Sequence, residues 1–216
     1  MRAGGILRRG AKGYGWYSKF LKEGSEGFSQ FVPPTPFDWD APKSPRPSAY
    51  FEIAVDDKSV GRLNFELAED IVPETVANFK KLCTNAPATD GGVSLSYKDT
   101  TFHRVMKSSA ILGGDVEKRD GSMSHSATGA RYFADENYII PHSEKGLLSM
   151  MSSGVDTNGS QFCLALEALP HLNGRNVVFG RLVGGEEVIE RIEEVFTFRG
   201  APAKDVKIID AGVVEA

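Results

Sequence analysis

The side chains most often used for metal binding and nucleophilic catalysis are few and widely spaced in this 216-residue sequence. They are His103, His125, His142, His171, Cys83 and Cys163. The histidines show no metal-ligand spacing, and satisfied or exposed side chains are the better interpretation for each. Two cysteines cannot form the disulfide framework of a small secreted domain, which favours a reducing compartment. We therefore expect no metal site.

Eight short segments, rich in glycine, aromatic and amide residues, follow one another in a distinctive order. They are Tyr50–Asp56, Gly61–Leu67, Val72–Phe79, Phe102–Arg104, Gly113–Asp115, Leu148–Met150, Thr157–Phe162 and Val177–Gly180. Each segment alone is weak evidence, but the ordered set resembles the cyclophilin family over about residues 50–216. The resemblance implies a closed eight-stranded antiparallel β-barrel capped by two α-helices, and descent from peptidyl-prolyl cis/trans isomerases.

The resemblance also implies a reaction that needs no metal, nucleophile or organic cofactor. The bond before proline resists rotation because resonance gives it partial double-bond character, and uncatalysed isomerisation takes tens to hundreds of seconds. A hydrogen-bond donor aimed at the prolyl nitrogen would localise its lone pair and loosen the bond. Such a donor accelerates the reaction because it binds the twisted state better than either planar state.

Four residues match family positions that contact the substrate. Arg104 matches the arginine that acts as the donor, and without the family context it would be interpreted as a surface salt-bridge partner. Gln161 matches a residue that hydrogen-bonds the substrate backbone, although an amide there could instead fasten neighbouring loops. Phe102 and Leu172 also match substrate-binding positions.

The proline pocket departs from the family pattern. Ser109 and Ala110 replace an aromatic residue and a methionine, and Cys163 replaces the aromatic floor. The other candidate groove residues that differ from common family residues are Leu112, Asn176 and Met151–Ser153, while His171 is a tolerated variant. Since losing a buried aromatic contact typically costs several kcal/mol, we expect weak or absent catalysis.

Hydrophobic periodicity predicts the elements that position these residues. Tyr50–Val55 and Gly61–Leu67 alternate as half-buried strands, and one helix begins near Pro73. A second helix is predicted near Glu186–Val195, and a last strand over Val206–Ile209. Many short strands with only two helices predict a closed β-barrel with helical lids.

The charge divides the chain into an N-terminal arm, residues 1–49, and a domain, residues 50–216. The arm carries eight basic and four acidic residues, a net charge of +4 (8 − 4), and the domain a net charge of −8 (17 − 25). The negative domain makes nucleic-acid binding an unlikely role for it, and no apolar run is long enough to cross a membrane. The overall composition excludes coiled coils and wholly disordered chains.

Three interpretations of the arm compete: a disordered extension, a targeting segment and an interaction arm. Its first 22 residues contain six basic and no acidic side chains, which favours a mitochondrial location over the cytoplasm or another organelle. Its aromatic residues favour protein contacts. The proposed partner-binding residues are Trp16, Tyr17, Phe20, Phe37 and Trp39.

Three functions remain open at this point. The first is an accessory structural subunit of a larger complex, held through the arm. The second is an active isomerase that assists protein folding. The third is a non-catalytic module that binds Xaa-Pro peptides. Loss of the pocket walls favours the first, while Arg104 and Gln161 favour the second.

Overall fold

A computed structural model describes residues 37–42, 44–84 and 95–214 of the chain. The predicted partner-binding residues Trp16, Tyr17 and Phe20 lie outside the described residues. The strands are β1 (Ser48–Val55), β2 (Lys58–Leu67), β3 (Arg104–Met106), β4 (Ala110–Gly113), β5 (Leu147–Ser152), β6 (Asn158–Ala165), β7 (Val178–Gly184), β8 (Thr197–Phe198), β9 (Ala201–Pro202) and β10 (Val206–Val214). The helices are α1 (Pro73–Cys83), α2 (Glu186–Glu194) and a 3-10 turn at Pro170–Leu172.

Eight strands form one antiparallel sheet in the order β10-β1-β2-β7-β5-β6-β4-β3. The segment that leads into β3 pairs with β10, since the N–H of Phe102 donates to the carbonyl of Val206 at 2.8 Å and Thr101 bridges Lys207. The mainly β class, the eight antiparallel strands and the two helices are therefore confirmed. The two sheet edges are joined by this short segment, so the closure is less complete than a full β3–β10 strand pair would give.

The first hairpin shows how alternation in the sequence becomes a buried face. Phe51 and Ile53 of β1 and Leu63, Phe65 and Leu67 of β2 have at most 1% of their surface exposed. The two-residue turn Asp56–Asp57 has φ values of 47° and 62°, which suit a type I′ hairpin and match the strand twist. The predicted strands Tyr50–Val55 and Gly61–Leu67 lie within β1 and β2.

Aromatic rings fill the interior beneath the sheet. The Phe51 ring contacts those of Phe65, Phe79, Tyr97 and Phe162, with centroids 5.3 to 5.7 Å apart. Such edge-on and tilted pairs stabilise a core beyond the apolar area that they bury.

Helix α1 lies against this core and depends on a distant carboxylate for its N-terminal cap. Glu136 accepts hydrogen bonds from the backbone N–H groups of Glu74 (3.1 Å) and Thr75 (2.9 Å) and from the Thr75 hydroxyl (2.8 Å). A carboxylate here satisfies N–H groups that have no partner within the helix and complements the helix dipole. No helix in the described part of the chain is long and apolar enough to span a membrane.

Residues 37–42 and 44–47 belong to the folded domain, although the sequence places them in the arm. Trp39 is only 5% exposed, and two guanidinium groups lie near its ring, Arg46 at 5.3 Å and Arg181 at 5.2 Å from the ring centroid. Phe37 packs edge-on against Trp39 at 5.1 Å. The structure thus corrects the expectation that Trp39 is a partner contact, because its ring is buried against its own domain.

Arg46 fixes this segment through a buried ion pair. Its guanidinium donates to both carboxylate oxygens of Asp70, at 2.7 and 3.1 Å, and to the carbonyl of Trp39 at 2.9 Å. The side chains of Arg46 and Asp70 are each 2% exposed. Bidentate geometry of this kind satisfies both charges where water cannot. The three residues Trp39, Arg46 and Arg181 are called the tryptophan clamp below.

The clamp predicts a stability effect in a segment that lies outside the family resemblance. Trp39→Ala should lower the free energy of unfolding by about 3 kcal/mol, because it removes a buried ring and leaves a cavity. Phe196→Ala is the matched control, since that ring is 70% exposed and its loss should change stability by less than about 0.5 kcal/mol. Urea denaturation measures both values. Equal stabilities for the two variants would contradict the clamp.

Candidate functional site

Cross-strand pairing brings three predicted site residues into one row. Arg104 of β3 lies opposite Leu112 of β4, Leu112 lies opposite Cys163 of β6, and Cys163 lies opposite Ser149 of β5. Directly paired residues in antiparallel strands share one face of the sheet. The row therefore runs from an exposed guanidinium to a buried thiol and hydroxyl, and Ser149 joins it without having been predicted.

A second row lies beside the first on the same face. Met106 pairs with Ala110, and Ala110 pairs with Ala165, each two residues along its strand from the first row. Ala110 is 2% exposed, and Ser109 lies in the turn before it with its carbonyl accepting the Leu166 N–H at 2.8 Å. This face, defined by both rows and the side chains above them, is called the groove face below.

Arg104 is exposed and supported by the β8–β9 hairpin. A Cβ atom placed on Gly200 would lie 3.0 Å from Arg104 Nε and 3.1 Å from its Cγ, so the arginine stem passes close to this glycine. The carbonyl of Gly200 accepts the N–H of Val105 at 2.7 Å. Among the described residues Arg104 forms no ion pair, so its N–H groups can donate to a bound peptide. This arrangement favours the donor interpretation over a surface salt bridge.

Cys163 occupies the floor of the groove face but has no nucleophilic character. Burial raises the pKa of its thiol to about 12, with the neighbouring Ser149 hydroxyl opposing the rise only in part. The thiol is therefore protonated at neutral pH, and only 1% of the residue is exposed. The site contains a small apolar floor at this position and no reactive thiolate.

Gln161 holds a loop in place. Its Nε2 donates to the carbonyl oxygens of Gly121 (3.0 Å) and Met123 (2.8 Å). The same loop is organised by Asp115, whose fully buried carboxylate accepts four backbone N–H groups between residues 117 and 123. Both N–H groups of the Gln161 amide are thus used, which leaves its Oε1 to accept a hydrogen bond from a peptide. The loop-fastening alternative is observed, and substrate contact through Oε1 stays a prediction.

The wall opposite Arg104 comes from the 3-10 turn and the loop after it. Leu172 is half-buried against the core, whereas His171 is exposed. Asn176 is 7% exposed, and its Nδ2 donates to the carbonyl of Met150 at 2.7 Å. The same nitrogen lies 3.9 Å from the Met151 sulfur, so a long side chain lies against Asn176 in this part of the groove.

Phe102 lies beneath the groove face. It is 1% exposed, and its ring packs edge-on against Phe162 at 6.0 Å. A residue buried to this degree offers almost no surface to a substrate in this conformation. Its observed role is to support the strands that carry Arg104.

Comparison with known proteins agrees with this geometry. A family model described as cyclophilin type peptidyl-prolyl cis-trans isomerase/CLD matches residues 50–213. The chain belongs to the cyclophilin family.

Curated relatives lead to the same family. This cyclophilin is 44% identical to peptidyl-prolyl cis-trans isomerase H of Rhizopus delemar over 168 residues, which cover 77% of the chain and 94% of that protein. It is also 44% identical to the NK-tumor recognition proteins of Mus musculus and Homo sapiens over 172 residues. That match covers 78% of this chain but only 12% of the length of each recognition protein.

His142 contacts Asn173, the residue after Leu172, and no signal in the sequence predicted this contact. The Oδ1 of Asn173 accepts the His142 backbone N–H at 2.8 Å and lies 3.2 Å from its Nδ1. Burial lowers the pKa of His142 to about 4, and the hydrogen bond to Asn173 only partly offsets this. The imidazole is therefore neutral at physiological pH and has a structural role. The parts of the cyclophilin domain that the structure describes contain no cluster of three or more metal-ligating side chains.

The His142 pKa predicts a pH dependence of stability. The unfolded chain takes up a proton on this residue near pH 6.5 and the folded chain only near pH 4, so stability contributed by the neutral form falls as pH drops through that window. The loss amounts to about 3 kcal/mol at most. Urea denaturation at pH 7 and pH 4.5 should show a smaller decrease for His142→Gln than for the wild type. Exposed His171→Gln is the control, and equal decreases in all three proteins would contradict the assignment.

Proposed function

We propose that this cyclophilin binds proline-containing segments weakly, catalyses their isomerisation poorly or not at all, and serves as an accessory subunit of a larger complex. The observation that carries the proposal is the groove floor. Cys163 and Ala110 stand where the family has an aromatic residue and a methionine, and at 1% and 2% exposed they offer almost no surface to a proline ring. A donor arginine is present, but the apolar contacts that would hold a proline ring beneath it are small.

The size of this deficit supports weak catalysis. Replacing a large buried side chain by a small one typically removes about 2–5 kcal/mol of contact energy. Each 1.4 kcal/mol is a factor of about ten in affinity, so the ring would be held about 30- to 4,000-fold less tightly, with 10²–10³-fold in the middle of that range. Because positioning supplies much of the rate of such a reaction, Arg104 alone is a poor catalyst.

The other side of the groove supports the same proposal. The family has a small Ala-Asn-Ala run where this chain has Met151–Ser153, and the Met151 sulfur lies 3.9 Å from Asn176 Nδ2. A flexible thioether in this place takes up part of the space that a peptide would use. The groove therefore combines a floor of small side chains with a bulkier side chain, Met151, at its wall.

An active isomerase is the second candidate, and one observation favours it. Arg104 is exposed, its stem is held by Gly200, and it has no ion-pair partner in the described part of the chain. The Oε1 of Gln161 also retains capacity to accept a peptide N–H. The third candidate is a peptide-binding module without catalysis, which differs from the first only in acting outside a stable assembly.

Exchange NMR on an Xaa-Pro peptide separates these candidates. We expect a catalytic efficiency about 10²–10³-fold below that of an ordinary cyclophilin measured in parallel. Arg104→Ala should remove what activity there is, and exposed Arg62→Ala is the matched control because it removes an arginine from β2, which pairs with β1 and β7 and not with the groove strands. Turnover equal to that of the ordinary enzyme, abolished by Arg104→Ala, would contradict weak catalysis and establish the second candidate.

The aromatic and basic residues of the arm are the reason for proposing that the protein is part of a complex. Because Trp39 is buried in its own domain, the proposed partner contacts are Trp16, Tyr17 and Phe20. Phe37 packs against Trp39 of the tryptophan clamp. Six basic and no acidic residues among the first 22 support a mitochondrial assembly. Extended aromatic segments gain contact area at low entropic cost, which suits attachment to a partner surface.

Sedimentation of a gently lysed extract tests the assembly. We expect the endogenous protein to migrate with a particle of many hundreds of kilodaltons, far above the 23.5 kDa monomer. A variant lacking residues 1–36, which keeps the whole tryptophan clamp, should migrate as the monomer because only the arm has been removed. Monomeric migration of the full chain would contradict the subunit proposal, and fractionation of the same cells would test the mitochondrial location.

A further inference from the structure

Two phenylalanines are displayed to solvent on one face of the β8–β9 hairpin. Phe196 and Phe198 are 70% and 68% exposed. Phe198 pairs with Ala201, and the carbonyl of Phe196 accepts the N–H of Ala203 at 2.7 Å, so the chain is extended through both residues. Residues two apart in an extended strand point to the same side. The rings therefore form one apolar surface, and adjacent exposed aromatics of this kind mark a binding surface more often than scattered ones do.

The tip of this hairpin touches the candidate donor. Arg199 and Gly200 form its two-residue turn with φ values of 53° and 85°, and Gly200 packs against the stem of Arg104. Positive φ values at both positions are what a two-residue type I′ hairpin turn requires. Phe198 precedes Gly200 by two residues, so their Cα atoms are at most about 7 Å apart. A peptide held at Arg104 would reach the rings within about one to three of its own residues.

The charges beside the rings define the partner further. The Arg199 guanidinium lies 5.5 Å from the centroid of the Phe198 ring. Across the described ranges, neither Arg199 nor Arg104 takes part in an ion pair. Two unpaired guanidinium groups next to two exposed rings are complementary to a segment that carries both an apolar side chain and a carboxylate.

We propose that Phe196, Phe198 and Arg199 form a second contact surface for the peptide bound at Arg104. This surface selects proline-containing segments with an aromatic or large apolar residue, and an acidic residue, within about three positions of the proline. The inference rests on the proposed function, since it requires that the groove face binds such segments. The second surface gives the site a source of affinity that does not depend on the small side chains of the groove floor.

Fluorescence anisotropy with labelled peptides tests this surface in the full chain. The parent peptide carries phenylalanine and glutamate near a single Xaa-Pro bond in a Gly/Ser background. Three further peptides replace the phenylalanine by alanine, the glutamate by glutamine, or the proline by alanine. The proteins are the wild type, Phe198→Ser, Arg199→Asn and Val214→Ser. Val214→Ser is the matched control because that apolar residue is 59% exposed and lies at the end of β10 opposite Ser48 of β1, and asparagine tolerates the left-handed conformation at position 199.

The expected result is a coupling between one protein residue and one peptide residue. Phe198→Ser should raise the Kd of the parent peptide about tenfold and leave the Kd of the Phe→Ala peptide unchanged within twofold. Arg199→Asn should weaken the parent peptide and leave the Glu→Gln peptide unchanged. Val214→Ser should alter neither. Thermal melts should be alike for all four proteins, since every substituted side chain is on the surface.

Three outcomes would overturn the inference, and each has its own signature. A Kd for the proline-containing peptides that changes neither with the peptide phenylalanine nor with Phe198→Ser would reject the second surface while leaving the proposed function intact. No binding of any peptide by the wild type would reject the proposed function and the inference together. Binding that survives replacement of the peptide proline, or a dimer that Phe198→Ser dissociates, would show that the hairpin docks a different occupant.

Discussion

The register of β3, β4, β6 and β5 is the constraint on which the site depends. Arg104, Leu112, Cys163 and Ser149 share a face only because each pair lies directly opposite in the ladder. A slip of one residue in any of these strands would turn its groove residues toward the core. A Cβ atom at the place of Gly113 would lie 2.7 Å from the Phe102 ring. A slip that moved Leu112 into this place would therefore clash with the aromatic interior. Only a glycine lets strand β4 approach these rings so closely.

Much of the domain could be predicted from the sequence, because its long strands alternate clearly between apolar and polar residues. Phe51, Ile53, Leu63 and Phe65 reveal their strands without any knowledge of their partners. The short strands β3 and β4 have too few residues for a period to appear, so the sequence pattern did not predict their pairing. The family resemblance singled out Arg104, Leu112 and Cys163 separately, and only the strand register shows that they lie in one row.

The tryptophan clamp and the His142 contact could not be predicted for a common physical reason. Trp39 lies in a proline-rich segment whose local composition is typical of a tail, and one of the two guanidinium groups near its ring belongs to Arg181 in β7. His142 receives its hydrogen-bond partner from Asn173 on another loop. In both cases the burial is decided by a partner far along the chain. Local sequence carries no record of such contacts unless the fold is already known.

The alternation of the strands also separates the residues of the groove face from the residues that stabilise the fold. The groove face carries Cys163 and Ala110. Their chain neighbours Leu164 and Ile111 lie on the opposite face of the sheet and are at most 1% exposed. Those inward residues pair across β3, β4, β6 and β5 with Val105 and Leu148, and they bury the apolar area that stabilises the sheet. Substitutions on the groove face therefore change a different set of contacts from those of the inward layer. The fold depends mainly on the inward layer, so the identity of the groove residues is less restricted by the stability of the barrel.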